Sequence, residues 1–235
     1  MSDLWFKASD LRQIDILAVE RFSMPSIVLM EHAAIALRDA SLGLIAHHGL
    51  TGALILCGPG NNGGDGFALA RLLANANVPT RIIATRDPTS LTGDARTNAH
   101  IAAAMKIPVA VATTCDEAAH EHSLLGPGTV LIVDALLGTG LTTPATGLVA
   151  DLIEWINRQS RDCVLAVDLP SGFHADLGPT LEPCVRADST VTFVGLKWGF
   201  AHPRAAEYLG HVSVAEIGAP ESLVREFSTP RPGST

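Results

Sequence analysis

Apolar residues follow two rhythms along this chain. Three unbroken runs, Leu54-Ile55-Leu56-Cys57, Thr129-Val130-Leu131-Ile132-Val133 and Val164-Leu165-Ala166-Val167, have the length and continuity of parallel strands buried on both faces. Elsewhere the apolar positions recur every three or four residues. Leu11, Ile14, Leu17 and Ala18 predict a helix over 9–22 with Ser9 as its N-cap; Ile27, Met30, Ala34 and Leu37 predict a second helix, opened by Pro25. The same reading gives helices over 65–75, over 93–105 with Ala102, Ala103 and Met105 turned inward, over 116–125 and over 147–158. Stretches at 79–84, 108–112, 188–194 and 211–215 supply further strands. Strands that alternate with helices predict an α/β fold with a mostly parallel central sheet. The helical pair ahead of it either caps the sheet or forms a contact between two copies.

A chain of 235 residues with 47% hydrophobic content can bury one large core, so a single domain over 1–227 is expected, followed by a disordered tail at 228–235. The net charge of −8, with no Lys/Arg cluster, excludes a nucleic-acid face. An anionic ligand must then be held by backbone groups, a few placed side chains or a bound cation. Cys57, Cys115, Cys163 and Cys184 are far apart and form no CxxC pair, which points to reduced thiols rather than zinc or disulfides. The N-terminus lacks the pattern of a secretory leader, and no run reaches membrane-spanning length, so a cytoplasmic protein is expected.

The chemistry concentrates after the first strand. Five of the nine residues from Gly58 to Gly66 are glycine, which predicts a turn where backbone N–H groups converge on an anion at the start of a helix. Gly58-x-Gly60-x-x-Gly63 is the dinucleotide fingerprint in a strand-turn-helix setting. The absence of a following Lys-Ser/Thr excludes a nucleoside-triphosphate P-loop. Asn61, Asn62 and Asp65 stand where an ordinary dinucleotide turn has small neutral residues. A carboxylate beside a pyrophosphate is repulsive unless a cation or a sugar hydroxyl intervenes. Taken alone, Asp65 also reads as a complement to the helix dipole.

Two later strands each run into an aspartate and a small-residue turn: Asp134 before Ala135-Leu136-Leu137-Gly138-Thr139-Gly140-Leu141, and Asp168 before Leu169-Pro170-Ser171-Gly172. Ligands of open parallel sheets bind outside the carboxyl ends of the strands, so these stretches and the glycine segment are expected to face one crevice. Arg86 and Asp87, side by side after the second strand, leave the ribose-binding choice open. Lys197 reads either as a charge near a phosphate or as a solvated lysine. His120 and His122 read as a solvated face, and Glu31 and His32 reach either solvent, a site or a partner chain. An ordinary NAD(P)-dependent oxidoreductase fits the glycine fingerprint, but no Tyr-x-x-x-Lys set is evident and Tyr208 is the only tyrosine. A non-catalytic binding module is the other alternative.

The segments Gly58-Pro59-Gly60-Asn61-Asn62-Gly63-Gly64-Asp65-Gly66, 133–141 and Val167-Asp168-Leu169-Pro170-Ser171-Gly172, with Met24-Pro25 and Leu29-Met30-Glu31-His32-Ala33-Ala34, resemble the NAD(P)HX epimerase family, also called the YjeF N-terminal domain. His32 and Ala34 depart from the family's usual Asn and Gly. The resemblance implies a Rossmann-like three-layer α/β/α sandwich, usually dimeric, that interconverts the R and S forms of hydrated NADH and NADPH (NADHX and NADPHX). It implies one potassium ion on Asn62, Asp134 and Ser171. Substrate contacts are implied from Asn61, Asn62, Gly63, Gly64 and Asp65, from Gly138, Thr139, Gly140, Leu141, Thr142, Thr143 and Pro144, and from Asp168. The dehydratase to which many relatives are fused would here be a separate protein. Inversion is expected either through loss of hydroxide to an iminium ion or through ring opening, with Asp168 the expected catalytic carboxylate that steadies developing positive charge and Asp65 the second candidate; the dinucleotide is the substrate, so no redox cofactor is required.

Overall fold

The three apolar runs form the middle of a seven-stranded sheet in which every pairing is parallel. In this computed structural model, which describes residues 4–233, the chain runs β1 (Trp5–Phe6), α1 (Ala8–Phe22), α2 (Ser26–His48), β2 (Ala53–Cys57), α3 (Asn61–Asn75), β3 (Thr80–Ala84), α4 (Gly93–Ala104) and β4 (Val109–Val111). It continues through α5 (Cys115–Ser123), β5 (Leu131–Ala135), α6 (Gly147–Asn157), β6 (Cys163–Val167), β7 (Ser189–Phe193), β8 (Leu196–Lys197), α7 (Ala206–Leu209), β9 (His211–Ala215) and α8 (Glu221–Phe227). The sheet order is β4-β3-β2-β5-β6-β7-β9, while β1 and β8 pair as a separate ribbon.

Each central strand is buried along its whole length because each of its faces meets a helical layer. On β2, Ala53, Ile55 and Cys57 pack with Ile14, Leu37 and Phe67, while Leu54 and Leu56 pack with Leu152 and Trp155 on the other side. This two-residue alternation between apolar layers makes an unbroken apolar run a strand. The chain leaves β2 towards β3 and β4, then returns to β5 on the other side. The carboxyl ends of β2 and β5 therefore flank a topological switch point, where parallel sheets of this kind bind ligands.

Several sequence expectations need correction. Helix α1 is entered from Lys7, not Ser9, because the Asp10 carboxylate accepts the Lys7 N–H at 3.2 Å and closes the first turn. The inward face of α4 is Ala95, Asn98, Ala99 and Ala102, leaving Ala103 and Met105 exposed. The expected tail is partly docked. Thr229 donates its N–H to the Trp5 carbonyl at 2.8 Å and accepts the Trp198 indole N–H at 2.8 Å; residues 234–235 lie outside the described residues.

The glycine segment differs most from expectation. The turn is confined to 58–60: α3 already begins at Asn61 rather than at Asp65, and none of the five glycines has positive φ. Four of them, Gly58, Gly63, Gly64 and Gly66, are needed for close approach instead. A Cβ on Gly58 would lie 1.8 Å from the Leu136 carbonyl oxygen, and one on Gly63 would lie 1.9 Å from the Gly58 oxygen. Gly58→Ala is therefore expected to cost about 1–3 kcal/mol or more, since backbone must move to admit the methyl. Gly60→Ala, with open space around its Cβ, is expected to leave the melting temperature nearly unchanged. Thermal denaturation of both variants checks the contrast.

Candidate active site

A crevice of about 500 Å³ opens at the carboxyl edge of the sheet. Asn61, Asn62 and Asp65 of α3 line it, as do Gly138 to Leu141 after β5, Asp168 after β6, and Lys197 of β8. Among the described residues no side chain caps α3, so its first N–H groups and positive dipole end are left to this crevice. Other expected contacts fall outside it. Gly63 and Gly64 are packed inward, Gly64 against Met30, while Thr142, Thr143 and Pro144 are exposed beyond the wall.

Beneath the crevice, three separate stretches meet at one point. Asp134, fully buried on β5, accepts the Ser171 hydroxyl at 2.6 Å, the Ser171 N–H at 2.7 Å and the Leu136 N–H at 3.2 Å. The Ser171 oxygen in turn accepts the Leu137 N–H at 2.9 Å, and the Asn62 amide donates to the Leu137 carbonyl at 2.9 Å. Burial pushes the Asp134 carboxyl up to about 6, against the opposing pull of its bonds from Ser171 and Leu136.

Asp168 is held in an unusual backbone conformation, with φ 65°, that turns the chain out of β6. Left-handed geometry is costly for a side-chain-bearing residue, and here it is fixed by surrounding bonds. The Asp168 N–H donates to the Val191 carbonyl at 2.8 Å. Its Oδ1 accepts the Phe193 N–H at 3.0 Å and an ion-paired bond from the Lys197 ammonium. Lys197 is fully buried and also donates to the Phe193 carbonyl at 3.0 Å. Burial pulls its ammonium down, and the Asp168 carboxylate opposes that pull. The solvated reading of Lys197 does not hold: it is buried at the crevice, with its ammonium paired to Asp168.

Asp65 has a different environment. It faces the crevice from a nearly buried position, and no hydrogen bond from the described residues supports its ionised form. Burial, then the charges of Asp168, Asp15 and Asp94, push its carboxyl well above the usual carboxylate range. One crevice thus holds two carboxyl groups in unlike surroundings, Asp168 ion-paired with Lys197 and Asp65 buried without such a partner among the described residues.

The sequence reading missed Arg12 and Asp15, which α1 brings to the same crevice. Apolar spacing identifies the inner face of α1 and ignores the polar residues beside it; their spacing of three was the available signal. Elsewhere, Glu31 pairs with Arg71 of α3, and His122 bonds Asp162 at 2.6 Å instead of sitting on a solvated face. Asp87 is used to cap the turn at Thr89.

This geometry has counterparts. The family described as YjeF-related protein N-terminus matches residues 26–199. The chain belongs to the YjeF N-terminus family. Relatives include the NAD(P)H-hydrate epimerase of Rhodopirellula baltica, 42% identical over 93% of this chain and 86% of that protein, and that of Pirellula staleyi, 39% identical over 92% and 93%. The bifunctional NAD(P)H-hydrate repair enzyme Nnr of Moorella thermoacetica is 39% identical over 92% of this chain, which spans 41% of that longer protein. The fold matches the crystal structure of yeast ynu0, YNL200c, with a TM-score of 0.79, 23% identity and coverage of 97% and 95% of the two chains. In this YjeF N-terminus chain, His32 lies against Gly218, where a Cβ would be 3.0 Å from its Nδ1. Ala34 is sealed between α2 and α3 with Ala68 and Leu72. Both positions thus lie outside the crevice.

Proposed function

We infer that this chain is an NAD(P)H-hydrate epimerase that interconverts the R and S forms of hydrated NADH and NADPH. The observation that carries the reading is the make-up of the crevice: Asp65, whose carboxyl burial pushes up, lines it together with an Asp168 carboxylate held by Lys197. The hydrated carbon of the substrate bears a hydroxyl and neighbours the ring nitrogen. Its C–O bond breaks with both electrons going to oxygen, Asp65 supplies the proton, and water departs as the nitrogen lone pair forms a C=N⁺ bond. Asp168 faces the positive charge that develops. Water added from the other face, with loss of a proton, completes the inversion. A passive binding module would gain nothing from burying a carboxyl group without an ion-pair partner at the crevice. The uncapped α3 N-terminus suits the dinucleotide's diphosphate.

Pure R-hydrate supplied to the protein should give S-hydrate faster than the spontaneous reaction, followed by chiral chromatography or NMR. Conversion at the protein-free rate would refute the reading.

The same proposal includes one potassium ion on Asn62, Asp134 and Ser171, with the Leu137 carbonyl beside them. The fit is chemical: these donors offer oxygen and a single formal negative charge, which suits a hard monovalent cation. A cation there would neutralise Asp134, whose charge burial makes unfavourable. Replacing choline chloride with potassium chloride at equal ionic strength is expected to raise the melting temperature of the wild type, and to leave Asp134→Asn unmoved. An equal response from both would remove the ion from this site.

A homodimer and a cytoplasmic setting belong to the same reading. Ile16, Val19 and Phe22 leave an apolar stripe exposed on α1, suited to a second copy, and all four cysteines remain free thiols. The bifunctional relative supports a separate NAD(P)HX dehydratase as the consumer of the product.

A further inference from the structure

Asp15 shares the crevice with Asp65, Asp168 and Lys197, yet nothing in the scheme above uses it. It enters from α1, an element outside the sheet and separate from α3, so the crevice has carboxyl groups on two different helices. Its side chain remains solvent-accessible, as a group that must meet substrate and exchange protons requires. Four charged groups surround it. Asp168 and Lys197 act on it directly, its charge is felt at Asp65, and Arg12 lies one turn away on its own helix. Arg12 does not neutralise it: the Arg12 guanidinium reaches Gly140, where a Cβ would lie 4.0 Å from Nη2. Crowding by protein atoms and the Asp168 charge push the Asp15 carboxyl up to about 6, while Lys197 acts in the opposite sense.

Inversion at one carbon needs proton transfer on both faces of the ring, because the hydroxyl leaves from one side and returns on the other. We propose that Asp15 is a second acid–base group of the epimerase, serving the face of the nicotinamide ring that Asp65 does not reach. This rests on the epimerase reading. With the hydroxyl towards Asp65, that carboxyl gives up its proton as the C–O electron pair moves to oxygen and water leaves. A second water then attacks the C=N⁺ carbon from the α1 side, its oxygen supplying the electron pair and its proton passing to the Asp15 carboxylate. One water has left, one has entered, and one proton has moved from Asp65 to Asp15. The opposite epimer runs the same path backwards. The reactive enzyme therefore holds one proton between the two carboxyls in both directions.

The test uses the full chain with pure R-hydrate and pure S-hydrate of NADH. In the wild type, kcat/KM for either epimer should fall as pH drops through about 6, where the Asp15 carboxylate is protonated and the Asp65–Asp15 pair comes to hold two protons instead of one. Asp15→Asn should lower kcat by ~10²-fold with little change in KM, and should lose that acid limb; Asp15→Glu should restore part of both. Unchanged turnover in Asp15→Asn overturns the proposal. A slow variant that keeps the limb also overturns it, because Asp15 would then only position other groups. If Asp15→Asn does not fold, the limb in Asp15→Glu decides: it must shift with the new carboxyl. An inactive wild type would instead refute the epimerase reading itself, whereas an active wild type with an indifferent Asp15→Asn refutes Asp15 alone.

Discussion

Asp168→Asn is expected to reduce turnover on the hydrated dinucleotide by more than ~10²-fold while also lowering the stability of the fold. The two effects share one cause. The carboxylate that faces the developing positive charge is the partner of a fully buried Lys197 ammonium. An amide in its place leaves that ammonium without a counter-charge, and breaking a buried pair from one side costs about 3–5 kcal/mol. Dinucleotide binding should largely persist, since the α3 N-terminus and the 138–141 loop are untouched. Combining Asp168→Asn with Lys197→Met should recover stability but not turnover. A double variant that regained activity would show Asp168 to be structural only, and thermal denaturation beside the epimer assay separates these outcomes.

Asp65→Asn is expected to lose ~10²- to 10⁴-fold in turnover and yet to become more stable than the wild type at neutral pH. The opposite sign follows from the direction of its displacement. The Asp65 carboxyl lies well above its ordinary range in the folded protein. The folded state therefore holds this proton more tightly than the unfolded chain. Its contribution to stability is fully present below the unfolded value of 3.8 and is lost as pH rises through the folded value. An amide has no such loss. Urea denaturation at acid and neutral pH should show the variant's advantage only at the higher pH; an advantage absent there would mean that Asp65 ionises freely and is not the proton donor.

Much of the site was legible because parallel strands announce themselves as continuous apolar runs, and their carboxyl ends are where ligands bind. Asp134 and Asp168 could be placed from sequence for that reason, and Asp65 from its position beside the glycines. Sequence reasoning erred where a residue's role depends on a neighbour distant along the chain. The glycines read as turn formers, but Gly58 and Gly63 are small because Leu136 and Gly58 press on them. Lys197 reads in sequence as either a charge near a phosphate or a solvated lysine, and nothing local shows that the left-handed turn at Asp168 brings a carboxylate to it. Asp15 and Arg12 carry only their spacing of three along α1 as a local sign. They reach the crevice because α1 packs beside α8 and β1, a placement that periodicity does not specify. Thr142 to Pro144 continue a glycine-rich stretch in sequence, although only its first half turns inward.

The central claim is that the carboxylates of this crevice stabilise a cationic ring from which water departs on one face and returns on the other. It is tested most directly by converting pure R-hydrate in water enriched in oxygen-18 and analysing the S-hydrate by mass spectrometry, with the protein-free reaction subtracted. The account predicts protein-dependent inversion in which each S molecule carries one solvent oxygen. Inversion that retained the original oxygen would assign the reaction to ring opening, and a protein sample indistinguishable from buffer would contradict the account altogether.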